Sequence, residues 1–481
     1  MAKKIEYLGL DFGSSKTCLV AKIQGEDTPI VFTSSDEKIC FPSVIAEATQ
    51  GNFPKYKYFN DASDNRDNKY VTYSTLKEDL RYPDTPQYKE DFARIEAYLS
   101  EIFDCAFSYT YFSGKKDELY DFSELKAVYY GHPSFFNTKE LQNYENNMQT
   151  ILQNIFSKKR LTPNFRGIPE PILTAQSYLA THAKNRKDIK TGDSVLILDF
   201  GGYTLDIALV TVGKDKGKVG IVPGSNCSFN TEEGFDLLSL GKTITHKLYS
   251  RIFPAQEKKS YLMRIVDQKK CELFEAQTMQ ELNEKVVHCN LANGTIRFSL
   301  SYDGKKHENT VSFIEGKNNI NMPAHYEELF EHIKCFFLLT KRPKNSISHV
   351  LFAGGTSRML PLRKAVYQYL YDNDWFENGK ASSLVIDEES DAVLVNNGEQ
   401  YPLSSECAVA LGACLAAENG LSFDSVKPKQ ADKEIKKLKK KIEELEIDIK
   451  RFESKAVYEY ERYRKELLET EKWKKKYEDL K

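Results

Sequence analysis

The sequence predicts an α/β fold of two duplicated lobes, each a mixed sheet flanked by helices and carrying an inserted subdomain, followed by a C-terminal coiled-coil helix. Three observations carry that prediction. An apolar strand, Asp, Phe, Gly, a small polar turn and a second apolar strand occur in that order twice, at Tyr7–Ile23 and Val195–Val212, with the two Asp residues about 190 positions apart. A third apolar strand, Val350–Ala353, runs into Gly354-Gly355 and then a helix beginning near Pro361. Past Pro428 no Gly or Pro appears, Lys and Glu dominate, and Ile435, Leu438, Ile442, Leu445, Ile449 and Phe452 keep a/d heptad spacing.

The second copy is the fuller one. Val195-Leu196-Ile197-Leu198 ends on Asp199, turns at Gly201-Gly202 and resumes through Thr204, Leu205, Asp206, Ile207 and Ala208 to Val212. Such continuous apolarity around a Gly turn reads as a buried β-hairpin. A carboxylate at its mouth is costly unless it meets a partner such as a metal or the metal's water shell. Glycines there let backbone N–H groups come close to an anion. The stretch therefore reads as a site for phosphate with a divalent cation. The first copy has the same parts: Leu8-Gly9-Leu10 into Asp11, a turn at Gly13-Ser14-Ser15, and a strand from Thr17 to Ile23. Two copies imply a phosphate clamped between two loops.

Bulk properties narrow the class. A chain of 481 residues has room for roughly two to four domains. With 68 Lys and Arg against 70 Asp and Glu, bulk charge points to neither nucleic acid nor an anionic membrane. The nine cysteines (Cys18, Cys40, Cys105, Cys227, Cys271, Cys289, Cys335, Cys407, Cys414) form no CxxC pair, a pattern of reduced thiols rather than a disulfide or zinc framework. No apolar run reaches membrane-spanning length, and Lys3-Lys4 leads into a mixed strand rather than a signal-peptide core. The expectation is a soluble cytoplasmic protein with neither nucleic acid nor membrane as partner.

Asp11-Phe12-Gly13-Ser14-Ser15-Lys16-Thr17 and Asp199-Phe200-Gly201-Gly202-Tyr203-Thr204-Leu205-Asp206 resemble the two phosphate motifs of the actin-like ATPase superfamily, most closely those of the nucleotide-binding domain of 70-kDa heat-shock (DnaK-type) chaperones. No Walker A sequence is present, since Gly9 to Lys16 lacks the G-K-[ST] ending. Further stretches extend the resemblance along the chain to about residue 420, with gaps at 46–125 and 275–325. Phe41–Ala46 is similar to the family's short strand after the first phosphate loop. The strand Leu125–Tyr130, the segment Pro133-Ser134-Phe135-Phe136-Asn137 and an amphipathic helix from Asn137 to Ile155 follow the family order. Gly167–Gln176 precedes a helix whose first turn suits Pro171, placing Glu170 just outside its N-terminus. Gly234-Phe235-Asp236 resembles a family helix start, although Thr231 and Glu232 stand where paired glycines are usual. Asp391–Tyr401 reads as a hairpin around Asn397-Gly398, and Ala408–Ala417 as a small-residue helix like the one that crosses between lobes in the family.

These parts set the expected domains: a first lobe of 1–191 and 402–424 with 46–124 inserted, a second lobe of 192–401 with 231–325 inserted, and a coiled coil over 430–481. What the resemblance implies for the site follows residue by residue. Asp199, Glu170, Lys77 and Thr204 would act on the attacking water and the γ-phosphate. Gly13, Ser14, Ser15, Lys16, Gly201, Gly202 and Tyr203 would hold phosphates. Asp267 and Lys270 would pack around the ribose and base, with Gly354, Gly355, Thr356 and Arg358 as the adenosine platform. Asp11, Asp199 and Asp206 would hold Mg²⁺, and K⁺ is a further cation the family admits.

Plainer readings stand beside several of these. Glu170 is also an acid favoured by a helix N-terminus, Asp267 and Lys270 also fit an i, i+3 surface pair, and Gly354-Gly355 also suits a tight strand-to-helix turn. Lys77 lies in a polar stretch where Lys69, Arg81 or Lys89 would serve as well. The leading expectation is an ATP-hydrolysing, DnaK-like switch without a peptide-binding domain, read out through self-association or a partner at 430–481. The alternative is an actin-like filament-forming ATPase. A sugar kinase fits least, because no catalytic aspartate motif for a hydroxyl substrate is apparent.

Overall fold

The computed structural model describes residues 3–33, 39–51, 53–63, 69–74, 76–80, 83, 85–108, 110–112, 117–133, 138–182, 186–201, 204–213, 219–230, 245, 249, 266–267, 289–290, 295–302, 305–312, 327–340, 343–358, 360–386, 392–396 and 399–419. The architecture is α/β, with mixed sheets flanked by helices. Met1–Phe423 forms one compact unit. The remainder, Asp424–Lys481, carries the expected coiled coil and lies outside the described residues.

The first sheet grows around Lys3–Phe12 (β1), which pairs antiparallel with Lys16–Ile23 (β2) in the expected hairpin. Ile30–Val31 (β3) and Phe41–Pro42 (β4) pair with β2. The predicted strand Phe41–Ala46 is broken at Ser43, and its second half becomes Ile45–Ala48 (β5), which joins Tyr56–Tyr58 (β6) and Tyr70–Tyr73 (β7) in a separate three-stranded sheet. Two short helices, Phe59–Ser63 (α1) and Leu76–Asp79 (α2), accompany it. Tyr88–Phe107 (α3) belongs to the main body, because Ile95, Tyr98, Leu99, Ile102, Phe103 and Ala106 recur on one helix face and are buried in the first sheet's core. Thr110–Phe112 (β8) pairs with Asp117–Asp121 (β9), which pairs with the start of β1.

Ala127–His132 (β10) runs parallel to β1, and Asn164–Pro169 (β11) parallel to β10. Between them Thr138–Lys158 (α4) buries Tyr144, Met148, Ile151, Leu152 and Phe156, with Phe156 edge-on to Phe103 of α3 at 4.8 Å. Glu170–Thr181 (α5) follows β11 directly. Glu170 is its first residue rather than lying just outside, since Pro169 takes the extended cap position.

The second sheet is built on Ser194–Phe200 (β12), whose Val195, Leu196, Ile197 and Leu198 are all fully buried, as a strand covered on both faces requires. Thr204–Val212 (β13) pairs antiparallel with it and Val219–Asn230 (β14) antiparallel with β13. A small sheet follows, of Cys289–Asn290 (β15), Thr295–Tyr302 (β16) and Lys305–Ser312 (β17). After the helix Glu327–Thr340 (α6), His349–Ala353 (β18) pairs parallel with β12. Leu360–Asp372 (α7) leads to Ser382–Val385 (β19), parallel to β18.

The last hairpin, Ala392–Asn396 (β20) and Glu399–Pro402 (β21), departs from the expected boundary at 401. Strand β20 pairs with β3, so the hairpin extends the first sheet rather than the second. The small-residue helix Ala408–Asn419 (α8) closes the unit. A Cβ at Gly412 would run into the Leu173 backbone of α5, and one at Gly9 of β1 would run into the Ala410 carbonyl and Cys414 of α8. Close approach thus explains why the helix carries small residues. The features expected at Thr231, Glu232, Gly234-Phe235-Asp236 and Asn397-Gly398 fall outside the described residues.

Candidate functional site

Both sequence-predicted turns close the same way. The Gly13 N–H donates to the Lys16 carbonyl at 3.1 Å, and the Gly201 N–H to the Thr204 carbonyl at 2.9 Å. A cluster of hydroxyls braces the first turn from behind. Ser43 Oγ donates to the Gly13 carbonyl at 2.6 Å and lies 3.0 Å from Thr17 Oγ1, while the Tyr98 hydroxyl stands 3.0 Å from both Thr17 Oγ1 and the Pro42 carbonyl. The break in the strand at Ser43 is what turns this side chain toward the loop. Sequence reading marked the strand but not the brace.

One cleft collects the motifs. Its lining includes Asp11, Gly13, Ser14, Ser15 and Lys16 from the first hairpin, and Asp199, Gly201 and Thr204 from the second. Lys77 and Glu170 contribute to it, as do Asp267 and the turn Gly354, Gly355, Thr356 and Arg358. The space, counted with its open mouth, is about 1050 Å³. Gly202, Tyr203 and Lys270 lie outside the described residues. Asp206 departs from its expected place: it sits opposite Asp199 in the hairpin register but is only 2% exposed and does not line the cleft. The lining also holds Ser405, Glu406 and Val409 at the start of α8, which no sequence motif singled out.

Lys77 is the lysine the fold selects from its polar stretch. It is 5% exposed, and its Nζ lies 2.5 Å from Glu170 Oε1, itself 8% exposed. Burial alone would lower the Lys77 pKa; Glu170, Asp11 and Asp206 outweigh it and hold the ammonium charged. Glu170 reaches this position past Gly131 of β10, where a Cβ would stand 2.9 Å from its Cγ. Beside the pair, His132 Nδ1 lies 2.8 Å from the Pro133 carbonyl, and burial lowers the His132 pKa below its ordinary value.

The two phosphate-motif carboxylates are under electrostatic stress. Burial pushes the Asp11 carboxyl up to about 7, helped by Glu170 and opposed by Lys77. Burial also raises Asp199 well above its ordinary value, with Asp206, Glu170 and Asp11 adding to the shift, while a 3.2 Å hydrogen bond from Thr174 Oγ1 opposes it. Among the described lining residues five carboxylates (Asp11, Glu170, Asp199, Asp267, Glu406) face three cations (Lys16, Lys77, Arg358). No group of three or more His, Cys, Asp or Glu among the described residues forms a ready-made metal cage. The donors that face the cleft are hard carboxylate oxygens, which suit Mg²⁺, an ion that keeps most of its waters and takes one or two carboxylates together with phosphate.

Gly354 and Gly355 have different tasks. Gly354 has φ +78°, and a Cβ there would strike the Phe200 carbonyl and come within 2.5 Å of Asp199 Oδ1. This glycine is demanded by the close packing of β18 on β12, not by a ligand. At Gly355 a Cβ would meet nothing, so its face is open to the cleft. The 3₁₀ turn Gly355–Arg358 is tied back by Thr356 Oγ1 to the Gly201 carbonyl at 3.4 Å, joining the third motif to the second loop. Asp267 accepts a 2.6 Å hydrogen bond from Thr245 Oγ1. Among the described residues no helix is long and apolar enough to cross a membrane. The chain matches no protein-family model and no curated protein at a significant level.

Proposed function

We propose that this cleft binds ATP or ADP with Mg²⁺ and hydrolyses ATP, in a fold of actin-like type most similar to the DnaK-type nucleotide-binding domain. The observation that carries the reading is the convergence of five separate sequence segments, the two hairpin loops, Lys77, Glu170 and the Gly354–Arg358 turn, on one cleft. Strand topology supports it. The order β11-β10-β1-β2-β3 repeats as β19-β18-β12-β13-β14, with the same parallel and antiparallel senses at each step. Two copies of one unit would face each other across the nucleotide.

In this reading the turns Gly13–Thr17 and Gly201–Thr204 grip the phosphates through backbone N–H groups. Asp11 and Asp199 would hold Mg²⁺, with the buried Asp206 opposite Asp199 across the hairpin. When bound, Mg²⁺ offsets the charge on the phosphoryl oxygens. Lys77 presents its ammonium to the γ-phosphate. Glu170 Oε1 is fixed by Lys77, so Oε2 is the oxygen that orients the water and takes its proton. Asp199 and Thr204 face the same water from the other lobe. Asp267 and Arg358 flank the ribose and base, and Gly355 gives the base an open floor. The nucleotide state is read through 430–481 or a partner protein.

The test is MgATP binding and phosphate release by the full-length protein and the Asp199→Asn variant, combined with light scattering and pelleting in ATP, ADP and a non-hydrolysable analogue. Binding with slow release that Asp199→Asn abolishes supports the proposal. Release unchanged by Asp199→Asn removes Asp199 from the mechanism. Large assemblies that form with ATP and dissolve on hydrolysis would move the reading to a filament-forming ATPase of the same fold.

A further inference from the structure

The cleft contains two lysine–carboxylate pairs, and they differ in burial. In the Lys77–Glu170 pair the side chains are 6% and 11% exposed. In the second pair, Lys16 of the first phosphate turn meets Glu406, with side chains 47% and 26% exposed. A buried pair is hard to break because either partner alone would be left desolvated. A pair this exposed holds by a factor of about five or less and exchanges partners readily.

Glu406 is itself firmly placed. It lies between β21 and α8, in a turn where the Cys407 and Ala408 N–H groups both donate to the Ser404 carbonyl, at 3.1 and 3.0 Å. Its own carbonyl accepts a 3.4 Å hydrogen bond from Cys40 Sγ. The carboxylate therefore stands at the cleft wall, opposite the turn that ends on Lys16, and both residues line the same space. An anion arriving at Gly13–Lys16 finds the only lysine of that turn already engaged by a carboxylate.

We infer that Glu406 is an internal competitor for Lys16: it occupies the ammonium while the cleft is empty, and a phosphate group must take Lys16 from it. This rests on the nucleotide reading above and assigns the cleft a specificity element that the phosphate motifs do not contain. Once Lys16 turns to phosphate, Glu406 faces that phosphate as a like charge. The competition thus weakens binding of phosphorylated ligands and leaves an uncharged nucleoside untouched. Glu406 is a positioning residue here, acting through Lys16.

The experiment is a double-mutant cycle on the full-length protein, with Glu406→Gln, Lys16→Gln and the double variant. Affinities for MgATP, MgADP and adenosine are measured by calorimetry at fixed ionic strength. Glu406→Gln should tighten MgATP and MgADP by about threefold to tenfold and leave adenosine unchanged. Lys16→Gln should weaken the two nucleotides, and adding Glu406→Gln to it should recover less than Glu406→Gln gains alone, because the contested ammonium is gone and only the like-charge repulsion is left to relieve. A neutral or weakening effect of Glu406→Gln, or the same gain in both backgrounds, overturns the inference while leaving the nucleotide reading in place. Wild-type protein that binds none of the three ligands overturns the nucleotide reading and the inference with it.

Discussion

Asp11→Asn is expected to stabilise the nucleotide-free protein at pH 8 while removing a carboxylate that the proposed Mg²⁺ site requires. Burial, then the neighbouring Glu170, raise the Asp11 carboxyl from 3.8 to about 7. A carboxyl whose folded pKa lies above its unfolded value binds its proton more tightly in the fold. Stability is therefore lost as pH climbs from the unfolded pKa to the folded one, and the loss is complete above the latter. A shift of about three units corresponds to roughly 4 kcal/mol at pH 8, less than half of that at pH 5, and little at pH 4. Asparagine carries no charge at any of these pH values but still has a polar amide to desolvate, so a gain of roughly 2–4 kcal/mol at pH 8 is expected. The assay is thermal unfolding without nucleotide in EDTA at pH 5 and pH 8. At about 2 °C per kcal/mol for a unit of this size, the midpoint should rise by roughly 4–8 °C at pH 8 and by clearly less at pH 5. A midpoint that falls, or a rise of equal size at both pH values, would refute the reasoning, since Asp11 would then be ionised and satisfied in the empty cleft.

Other substitutions separate fold from chemistry. Because burial raises the Asp199 pKa well above its ordinary value, Asp199→Asn removes a charge that the empty cleft disfavours; the unfolding midpoint should not fall by more than ~2 °C while phosphate release falls at least ~100-fold, read in parallel on one preparation. Lys77→Met strands the Glu170 carboxylate and should cost about 3–5 kcal/mol in denaturant unfolding. Adding Glu170→Gln should restore much of that stability without restoring turnover, and a Lys77→Met variant as stable as wild type would contradict the buried pair. Ser43→Ala removes the donor to the Gly13 carbonyl and should cost about 1 kcal/mol with KM for MgATP raised several-fold; an unchanged KM would show that the loop needs no brace.

How far the sequence discloses the site depends on how local each constraint is. Asp11, Asp199, Gly13, Gly201 and Thr204 are legible because a strand, a turn and a second strand sit within about ten residues of one another. Lys77 is not, because what distinguishes it from Lys69 or Lys89 is the Glu170 carboxylate 93 residues away. Glu406 is 390 residues from Lys16 and belongs to no motif, so only the pairing across the cleft discloses it. The same limit explains the domain boundaries. The Asn397-Gly398 turn identified the β20–β21 hairpin, but its joining the first sheet is decided by β3, a strand of two residues with no periodicity to read. Asp206 shows the reverse case. Its spacing from Asp199 is correct for a shared role, and the hairpin sets the two directly opposite each other, yet Asp206 is buried outside the cleft lining and reaches the site as a charge that raises the Asp199 pKa.

The stress on Asp199 has a backbone cause. Strand β18 ends at Ala353, and Gly354 takes φ +78°, a conformation that L side chains rarely adopt. Without a side chain, this residue lies against the Phe200 carbonyl and Asp199 Oδ1, filling space that water would otherwise use to solvate the carboxylate. Desolvation is the largest contribution to the raised Asp199 pKa, ahead of the charges of Asp206, Glu170 and Asp11. The close packing of the third motif on the second is thus what desolvates the Asp199 carboxyl. Gly354→Ala and Gly355→Ala should then behave differently despite being neighbours. The first must move either β18 or the Asp199 strand, costing stability and drawing the Asp199 pKa down toward its ordinary value as water enters. The second meets open space and should unfold like wild type, with any change confined to the ligand that rests on it. Equal destabilisation by the two would mean that the glycine pair serves only the turn, and that the carboxylate's stress has its origin elsewhere.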